Sequence, residues 1–86
     1  MEFKEILDAM NDIYTRKNND YGNSFDKSLD EYGVVAAIIR MEDKFNRLKS
    51  LLNNEQKVKD ESFEDTLIDL ANYSIMTCLY LKNKNN

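Results

Sequence analysis

Three basic residues recur at steps of four and three along one stretch of the chain: Arg40, Lys44 and Arg47. If the stretch is helical, this spacing places them on one face. Arginine offers a forked set of donors and lysine a point charge, so the row is a candidate clamp for phosphate groups. The alternative is that the three cations form salt bridges with acidic residues of a neighbouring helix. The spacing leaves both interpretations open.

A strip of polar residues follows later, where the sequence otherwise becomes apolar: Asp65, Asp69, Asn72 and Tyr73. A carboxylate near a buried surface has to be paired, hydrogen-bonded or metal-bound. Asp65 and Asp69, with Glu61 one turn earlier, have the spacing to share one face and hold a Mg²⁺ ion. Asp69 can equally bond to a cation of the basic row and fix the register of two helices. Asp65 also suits the start of a helix, without any ligand.

The segment 17–25 is the third candidate, because it is made largely of turn-forming residues. Tyr21 supplies a flat ring for stacking on a base. Backbone N–H groups at a helix start suit an anion, and amide side chains can read polar edges. The candidate ligand-binding residues here are Lys17, Tyr21, Gly22, Asn23 and Ser24. As a turn between helices the segment also needs no function, with Tyr21 and Phe25 packing on the core.

The residue types that are missing exclude several kinds of catalysis. The chain has no histidine and one cysteine, Cys78, so it has no Ser-His-Asp or Cys-His arrangement, no zinc-type site and no internal disulfide. No glycine-rich phosphate loop is present. Cys78 lies in an apolar stripe and is predicted to be a core residue. Any hydrolysis would need a metal held by carboxylates, and the leading interpretation requires no cofactor.

The elements that must position these residues are predicted to be helices. The chain has 86 residues and no proline, which predicts one domain over 1–86 with a frayed tail at 83–86. Gly22 and Gly33 are the predicted breaks. The apolar spacing predicts an all-α bundle with a short helix over 24–32, capped by Ser24. The three long helices are predicted over 2–18, over 34–53 and from Ser62 onward.

The apolar pattern also predicts which helix faces are buried. The second long helix carries a seam at alternating steps of four and three: Val34, Ile38, Met41, Phe45, Leu48 and Leu52. The third carries a main stripe: Phe63, Leu67, Leu70, Ser74, Cys78 and Leu81. A second apolar set, Ile68, Ile75 and Leu79, lies on its flank. A helix that is apolar on two sides in so small a chain predicts a homo-oligomer, a dimer or tetramer.

Charge and hydropathy limit the partners. A formal charge of −4 argues against DNA, RNA or an anionic membrane as a ligand. No apolar run approaches the roughly 20 residues needed to span a bilayer. The first five residues lack the basic start and apolar core of a signal peptide. We therefore expect a cytoplasmic protein whose ligand is a small molecule.

Three blocks, in order along nearly the whole chain, carry a resemblance: Lys17…Asp20-Tyr21-Gly22-Asn23-Ser24-Phe25, Arg40-Met41-Glu42-Asp43-Lys44…Arg47, and Glu61-Ser62…Asp65-Thr66…Asp69-Leu70-Ala71-Asn72-Tyr73. Together they resemble the nucleotide modification associated domain, a small phage and bacterial family long described as a domain of unknown function. The resemblance implies an association with nucleotides and supplies no reaction.

More distantly, the helical layout is similar to the MazG group of nucleoside triphosphate pyrophosphohydrolases. Those enzymes hold Mg²⁺ with paired acids on two adjacent helices. Here the second long helix has only the adjacent Glu42 and Asp43, which point in different directions, and cations occupy the neighbouring turns. An incomplete acid set beside cations suits holding phosphates better than cleaving them. Small oligomeric helical phage proteins that look like this can act as sponges for cyclic nucleotide signals of bacterial antiviral defence. If this chain is phage-encoded, we expect it in the host cytoplasm.

The leading hypothesis is a non-catalytic protein that sequesters a cyclic di- or oligonucleotide. The basic row would hold the phosphates and Tyr21 would stack on a base. Asn23, Ser24 and Asp69 would hydrogen-bond to base or sugar, with Tyr73 beside them. The alternative is a MazG-like, Mg²⁺-dependent nucleoside triphosphate pyrophosphohydrolase. Its metal would be held by Asp43, Glu61, Asp65 and Asp69.

Overall fold

Four helices make up the described part of the chain. A computed structural model describes residues 1–21, 23–53 and 62–84, without the side chain of Tyr21. The helices are α1 (Phe3–Tyr21), α2 (Ser24–Tyr32), α3 (Val35–Leu52) and α4 (Ser62–Lys84). No strand occurs in these ranges, so the predicted all-α fold with three long helices and one short helix is confirmed. None of the described helices combines the length and apolar character needed to cross a bilayer.

The short helix α2 lies between two residues with positive φ. Asn23 precedes it with φ 62°, in the left-handed region that asparagine tolerates better than most residues. Gly33 follows it with φ 84°, and its N–H donates to the carbonyl oxygen of Leu29 at 2.8 Å. The predicted break at Gly33 is therefore confirmed, whereas Gly22 lies outside the described residues. The predicted cap is wrong by one position, because Asn23 is the N-cap and Ser24 the first helical residue.

The first helix is longer than the sequence predicted. It continues through residues 18–21, although asparagine and aspartate are turn formers. In a helix such residues cost at most about 0.7 kcal/mol each relative to alanine, so tertiary contacts can override their preference. One such contact is the approach of Lys17 to Asp69 of α4, at 3.5 Å. At the other end of the chain, α4 includes residues 83 and 84 of the predicted tail.

The face that α3 buries differs from the predicted seam. Leu48 is buried as predicted, together with Ala37 and Leu51. The seam residues Ile38 and Phe45, in contrast, are 52% and 54% exposed. The prediction followed apolar residues alone. The inner face of α3 also carries Arg40 and Lys44, which are half-buried and line a cavity.

The helix α4 turns an unexpected pair of residues inward. Thr66 and Thr77 are buried, and each hydroxyl donates at 2.7 Å to the carbonyl oxygen one turn earlier, that of Ser62 or Tyr73. These bonds remove the cost of burying the hydroxyls. Much of the predicted stripe is exposed instead: Leu67, Ser74, Cys78 and Leu81. The prediction that Cys78 is a core residue is therefore wrong.

The packed centre of the fold is small. Phe25 and Leu29 of α2 lie against Ala37 of α3. Partly buried side chains complete this cluster: Ala36, Met41, Tyr73, Met76 and Tyr80. The ring of Phe25 lies 5.6 Å from that of Tyr73, centroid to centroid. Since Phe25 and Tyr73 also line the cavity described below, the same packing that holds α2 on α4 shapes the candidate site.

Candidate functional site

A cavity of about 260 Å³ opens where all four helices meet. Its wall includes six of the ten predicted ligand-binding residues: Lys17, Ser24, Arg40, Lys44, Asp69 and Tyr73. Six further residues of the described ranges also line it: Ile13, Tyr14, Asn18, Phe25, Asn72 and Met76. The fold therefore brings together side chains from three distant parts of the sequence, which is what a ligand site requires.

One carboxylate in the cavity faces two ammonium groups. The Nζ atom of Lys44 donates to Oδ2 of Asp69 at 3.0 Å. The Nζ atom of Lys17 lies 3.5 Å from Oδ1 of the same carboxylate. The interpretation in which Asp69 pairs with the basic row is thus confirmed for Lys44. This pairing does not neutralise the cavity, because the one negative charge of Asp69 faces the two positive charges of Lys44 and Lys17.

The guanidinium of Arg40 is held by neutral groups. Its Nη2 atom donates to Oγ of Ser28 at 3.1 Å, and its Cζ atom lies 5.5 Å from the centroid of the Phe25 ring. Ser28 in turn donates to the carbonyl oxygen of Ser24 at 3.0 Å. Within the described ranges Arg40 forms no ion pair. Its charge is therefore oriented by a hydroxyl and an aromatic face and is not compensated by a carboxylate.

The cavity is electropositive. Among the lining residues that the structure describes, Lys17, Arg40 and Lys44 are cationic and Asp69 is the single anion, which gives these residues a net charge of +2. The whole chain has a formal charge of −4. Positive charge is thus concentrated at one concave surface of an acidic protein, and such a surface attracts anions.

Four predicted site residues are not seen in the wall. Arg47 is exposed on α3, one turn beyond Lys44, and does not line the cavity. Asn23 is also exposed and outside the wall. The side chain of Tyr21 and all of Gly22 lie outside the described residues, so the predicted stacking by Tyr21 stays a prediction.

The sequence comparison covers most of these residues. Residues 17–81 match the profile of the family nucleotide modification associated domain 1. The chain belongs to this family. The matched range contains every cavity residue except Ile13 and Tyr14, and the resemblance noted from the sequence is confirmed. No curated protein and no solved structure matches the chain. The distant relation to the MazG group stays a prediction.

The described acidic residues of the predicted magnesium set do not converge in this nucleotide modification associated domain. Asp43 and Asp65 are exposed, whereas Asp69 is half-buried between the two lysines. Glu61, the remaining member of the predicted magnesium set, lies outside the described residues. In the described ranges, no three carboxylate or thiol side chains form a group that could hold a metal ion.

Several residues at or beside the cavity of this family member are not among the predicted ligand-binding residues. Ile13 and Tyr14 of α1 line the cavity, but an isoleucine and a tyrosine at helical spacing are also typical of a buried helix face. Ser28 is twelve positions from Arg40, and no helical spacing rule links residues on different helices. Asn72 was noted as part of the polar strip, and its Nδ2 atom donates to the carbonyl oxygen of Met10 at 3.5 Å. The sequence signal that points to Asn72 is a polar residue at a position where the helix is otherwise apolar.

Proposed function

We propose that this protein binds a phosphate-bearing nucleotide without cleaving it, in the cavity between its four helices. The observation that carries the proposal is the net charge of +2 on the cavity wall. Arg40 is fixed by Ser28 and Phe25 and keeps the remaining donors of its guanidinium for a ligand. A phosphate beside it can accept charge-assisted hydrogen bonds, which are about twice as strong as neutral ones.

Asp69 supports binding in preference to cleavage. Its two oxygens are directed at Lys44 and Lys17, so the carboxylate orients the lysines that would contact a phosphate. A metal-dependent hydrolase needs several free carboxylates around one ion. The carboxylate of Asp69, the one that lines this cavity within the described residues, is already engaged by the lysines, and Asp43 and Asp65 lie exposed elsewhere.

The ligand class that we propose is a cyclic di- or oligonucleotide. Each phosphodiester carries one negative charge, so a cyclic dinucleotide balances the +2 of the cavity wall. The family name associates the domain with nucleotides. The biological role that we propose is sequestration of such a signal, as a phage-type sponge that evades bacterial antiviral immunity.

We further propose that the protein is a homo-oligomer. Large apolar side chains of α3 remain exposed in the single chain: Val35, Ile38, Ile39, Phe45 and Leu52. Small domains with little buried core usually obtain part of their stability from association. Only six hydrophobic residues are buried among those described, and a second copy is the partner that would cover the rest.

Isothermal titration calorimetry of three arginine and lysine variants tests the binding site. The ligand panel is a cyclic purine dinucleotide, a nucleoside 5′-monophosphate and a nucleoside 5′-triphosphate. Arg40→Ala and Lys44→Ala should each weaken binding at least tenfold, with circular dichroism unchanged. Arg47→Ala is the matched control, because it removes the same charge from the same helix outside the cavity. If all three variants bind as the unmodified protein does, the phosphate clamp is wrong.

A second measurement separates binding from hydrolysis. The protein is incubated with each nucleotide and Mg²⁺, denatured, and the nucleotide recovered by chromatography. Intact ligand supports sequestration, whereas release of pyrophosphate would replace it with the MazG-like activity. A bound ligand at 100 times its Kd should also stabilise the fold by roughly 2.7 kcal/mol, so a nucleotide panel that shifts no melting temperature contradicts the proposal.

A further inference from the structure

A second concave surface adjoins the charged cavity. It lies between α1 and α4, has a volume of about 240 Å³, and is here called the apolar groove. Its wall is mainly aliphatic, with Leu7, Met10, Ile75 and Leu79. Three residues, Tyr14, Asn72 and Met76, line both the groove and the charged cavity. The two concave surfaces therefore lie side by side, one with a cationic wall and the other with an apolar wall.

We propose that the apolar groove receives the base of the nucleotide whose phosphate lies in the charged cavity, and that the base is adenine. This inference rests on the proposed function, because it assumes a phosphate between Arg40 and Lys44. A nucleobase has two apolar faces and a polar edge. Tyr14 and Met76 line the groove. An aromatic ring and a thioether both make favourable contacts with the faces of a nucleobase.

The sizes of the two surfaces support one shared ligand. Sites for small molecules usually have volumes of about 300–1,000 Å³. The charged cavity, at about 260 Å³, and the groove, at about 240 Å³, each fall below that range. Together they fall within it. One nucleotide unit of the proposed ligand is charged at its phosphate and flat and apolar at its base, so it occupies both surfaces, whereas a phosphate alone fills neither.

Asn72 lies at the junction and determines which base fits. Within the described residues its amide makes one contact, the 3.5 Å bond to Met10, which is at the long limit for a hydrogen bond. The amide therefore keeps an acceptor and donor capacity for a ligand. An asparagine amide pairs in two places with N6 and N7 of adenine, which are a donor beside an acceptor. Guanine presents two acceptors at the corresponding edge and is matched less well.

The test uses three probes that differ only in the base: adenosine 5′-monophosphate, guanosine 5′-monophosphate and ribose 5-phosphate. Calorimetry should show that the adenine nucleotide binds about tenfold more tightly than the other two. Leu79→Asn places a polar group in the groove and should reduce adenine nucleotide binding to the level of ribose 5-phosphate. It should leave ribose 5-phosphate binding unchanged, because the charged cavity is intact.

Leu81→Asn is the matched control. Leu81 is on the same helix and 41% exposed, against 45% for Leu79, but it does not line the groove. Asn72→Leu should in addition remove the preference for adenine over guanine. Equal affinities for the adenine nucleotide and ribose 5-phosphate would overturn the inference. So would identical behaviour of the two leucine variants, or a change of oligomeric mass with Leu79→Asn, which would mean that a second copy covers the groove.

These outcomes are distinct from a failure of the proposed function. If the phosphate clamp is wrong, Arg40→Ala leaves the affinity for ribose 5-phosphate unchanged or none of the three probes binds. If only the base site is wrong, ribose 5-phosphate binding depends on Arg40 as proposed, and Leu79→Asn has no selective effect on the adenine nucleotide.

Discussion

Lys44 and Asp69 face each other where α3 packs against α4, with Nζ of the lysine 3.0 Å from Oδ2 of the aspartate. Their side chains are 30% and 28% exposed. The Nζ atom of Lys17 lies 3.5 Å from Oδ1, the other carboxylate oxygen of Asp69. The carboxylate of Asp69 therefore has two roles: it links α3 to α4, and it offsets one of the three positive charges of the cavity wall, whose net charge is +2. A variant that removes the negative charge alone should reveal both.

Asp69→Asn should lower stability and strengthen anion binding. It removes a partly buried ion pair, for which we expect a loss of about 1 kcal/mol, or roughly 4–8 °C in Tm for a domain of this size. It also raises the net charge of the cavity wall from +2 to +3. Inorganic phosphate should then raise the Tm of the variant more than that of the unmodified protein, as measured by differential scanning calorimetry.

Asp65→Asn is the control for this prediction. Asp65 is an exposed aspartate of the same helix, so the change of overall charge is the same while the cavity is untouched. The role assigned to Asp69 is wrong if the two variants respond equally to phosphate.

Ser28→Ala tests whether the orientation of Arg40 matters. The hydroxyl of Ser28 accepts a hydrogen bond from the guanidinium at 3.1 Å, and its loss leaves the charge in place but less firmly oriented. We expect an affinity for the nucleotide about three- to tenfold lower, because the net value of one such bond is about 0.5–1.5 kcal/mol. Calorimetry measures the affinity. Ser50→Ala is the control, because Ser50 is an exposed serine of α3. If Ser28→Ala and the unmodified protein bind the nucleotide with equal affinity, the bond from Arg40 to Ser28 does not contribute to binding.

The basic row shows why the sequence predicted only part of the site. Its helical spacing correctly placed Arg40 and Lys44 together, because that relation is local. Arg47 has the same local spacing, yet it lies exposed beyond the cavity. Which end of a row meets a neighbouring helix depends on how the helices pack, and that packing joins residues far apart in the sequence. For the same reason, Ser28 was not predicted to contact Arg40.

The helix types were easier to predict than the buried faces. The positions of α2 and α3 followed from the apolar spacing and Gly33. The inner face of α4 did not, because Thr66 and Thr77 are polar in the sequence and become compatible with burial only through bonds to their own helix. Ile38 and Phe45 are exposed, so the predicted seam of α3 is not buried against other helices of the same chain. Their pattern is compatible with a surface that only a second copy would bury.

A separate cluster joins the end of α4 to α2 and makes local stability depend on pH. The hydroxyl of Tyr80 donates to Oδ1 of Asp30 at 2.7 Å, and Nζ of Lys84 lies 3.1 Å from the same atom. The bond from Tyr80, followed by the bond from Lys84, lowers the pKa of Asp30. The bond to Asp30 raises the pKa of Tyr80 and likewise that of Lys84.

The directions of these shifts fix the pH window. A lowered pKa at Asp30 gives stabilisation that is present above the usual pKa of a carboxyl group and lost in more acidic solution. Raised pKa values at Tyr80 and Lys84 give stabilisation that is complete below their usual pKa values and lost in alkali. Amide hydrogen exchange should therefore show the end of α4 best protected near neutral pH, and less protected at about pH 3 and about pH 11.

Tyr80→Phe checks that the Asp30 cluster causes this pH dependence. The variant should lose protection at the end of α4 near neutral pH and should resemble the unmodified protein more closely at both extremes. Tyr32→Phe is the control, since Tyr32 is an exposed tyrosine of α2. A protection difference between Tyr80→Phe and the unmodified protein that is the same at every pH would assign the effect to packing.

Phe45→Asp should reduce the oligomeric mass of the protein. The ring of Phe45 is 54% exposed and lies on the outer side of α3, with Nζ of Lys49 5.3 Å from its centroid. Burying one such side chain against a partner is worth about 1.5–3 kcal/mol, and a carboxylate placed there would have to be desolvated on association. Analytical ultracentrifugation over a range of concentrations should show a shift towards the monomer, with the helix content retained.

Asn46→Asp is the control for the association prediction. Asn46 is the neighbouring exposed residue of α3, so both variants gain one negative charge and differ in the side chain that is lost. If both reduce the mass, general charge repulsion is the cause. If neither does, the exposed apolar residues of α3 are not the contact between copies. A reduced mass with Phe45→Asp alone, together with unchanged nucleotide affinity, would show that each chain carries a complete site. If Phe45→Asp lowers both the oligomeric mass and the nucleotide affinity, the binding site is formed by two chains.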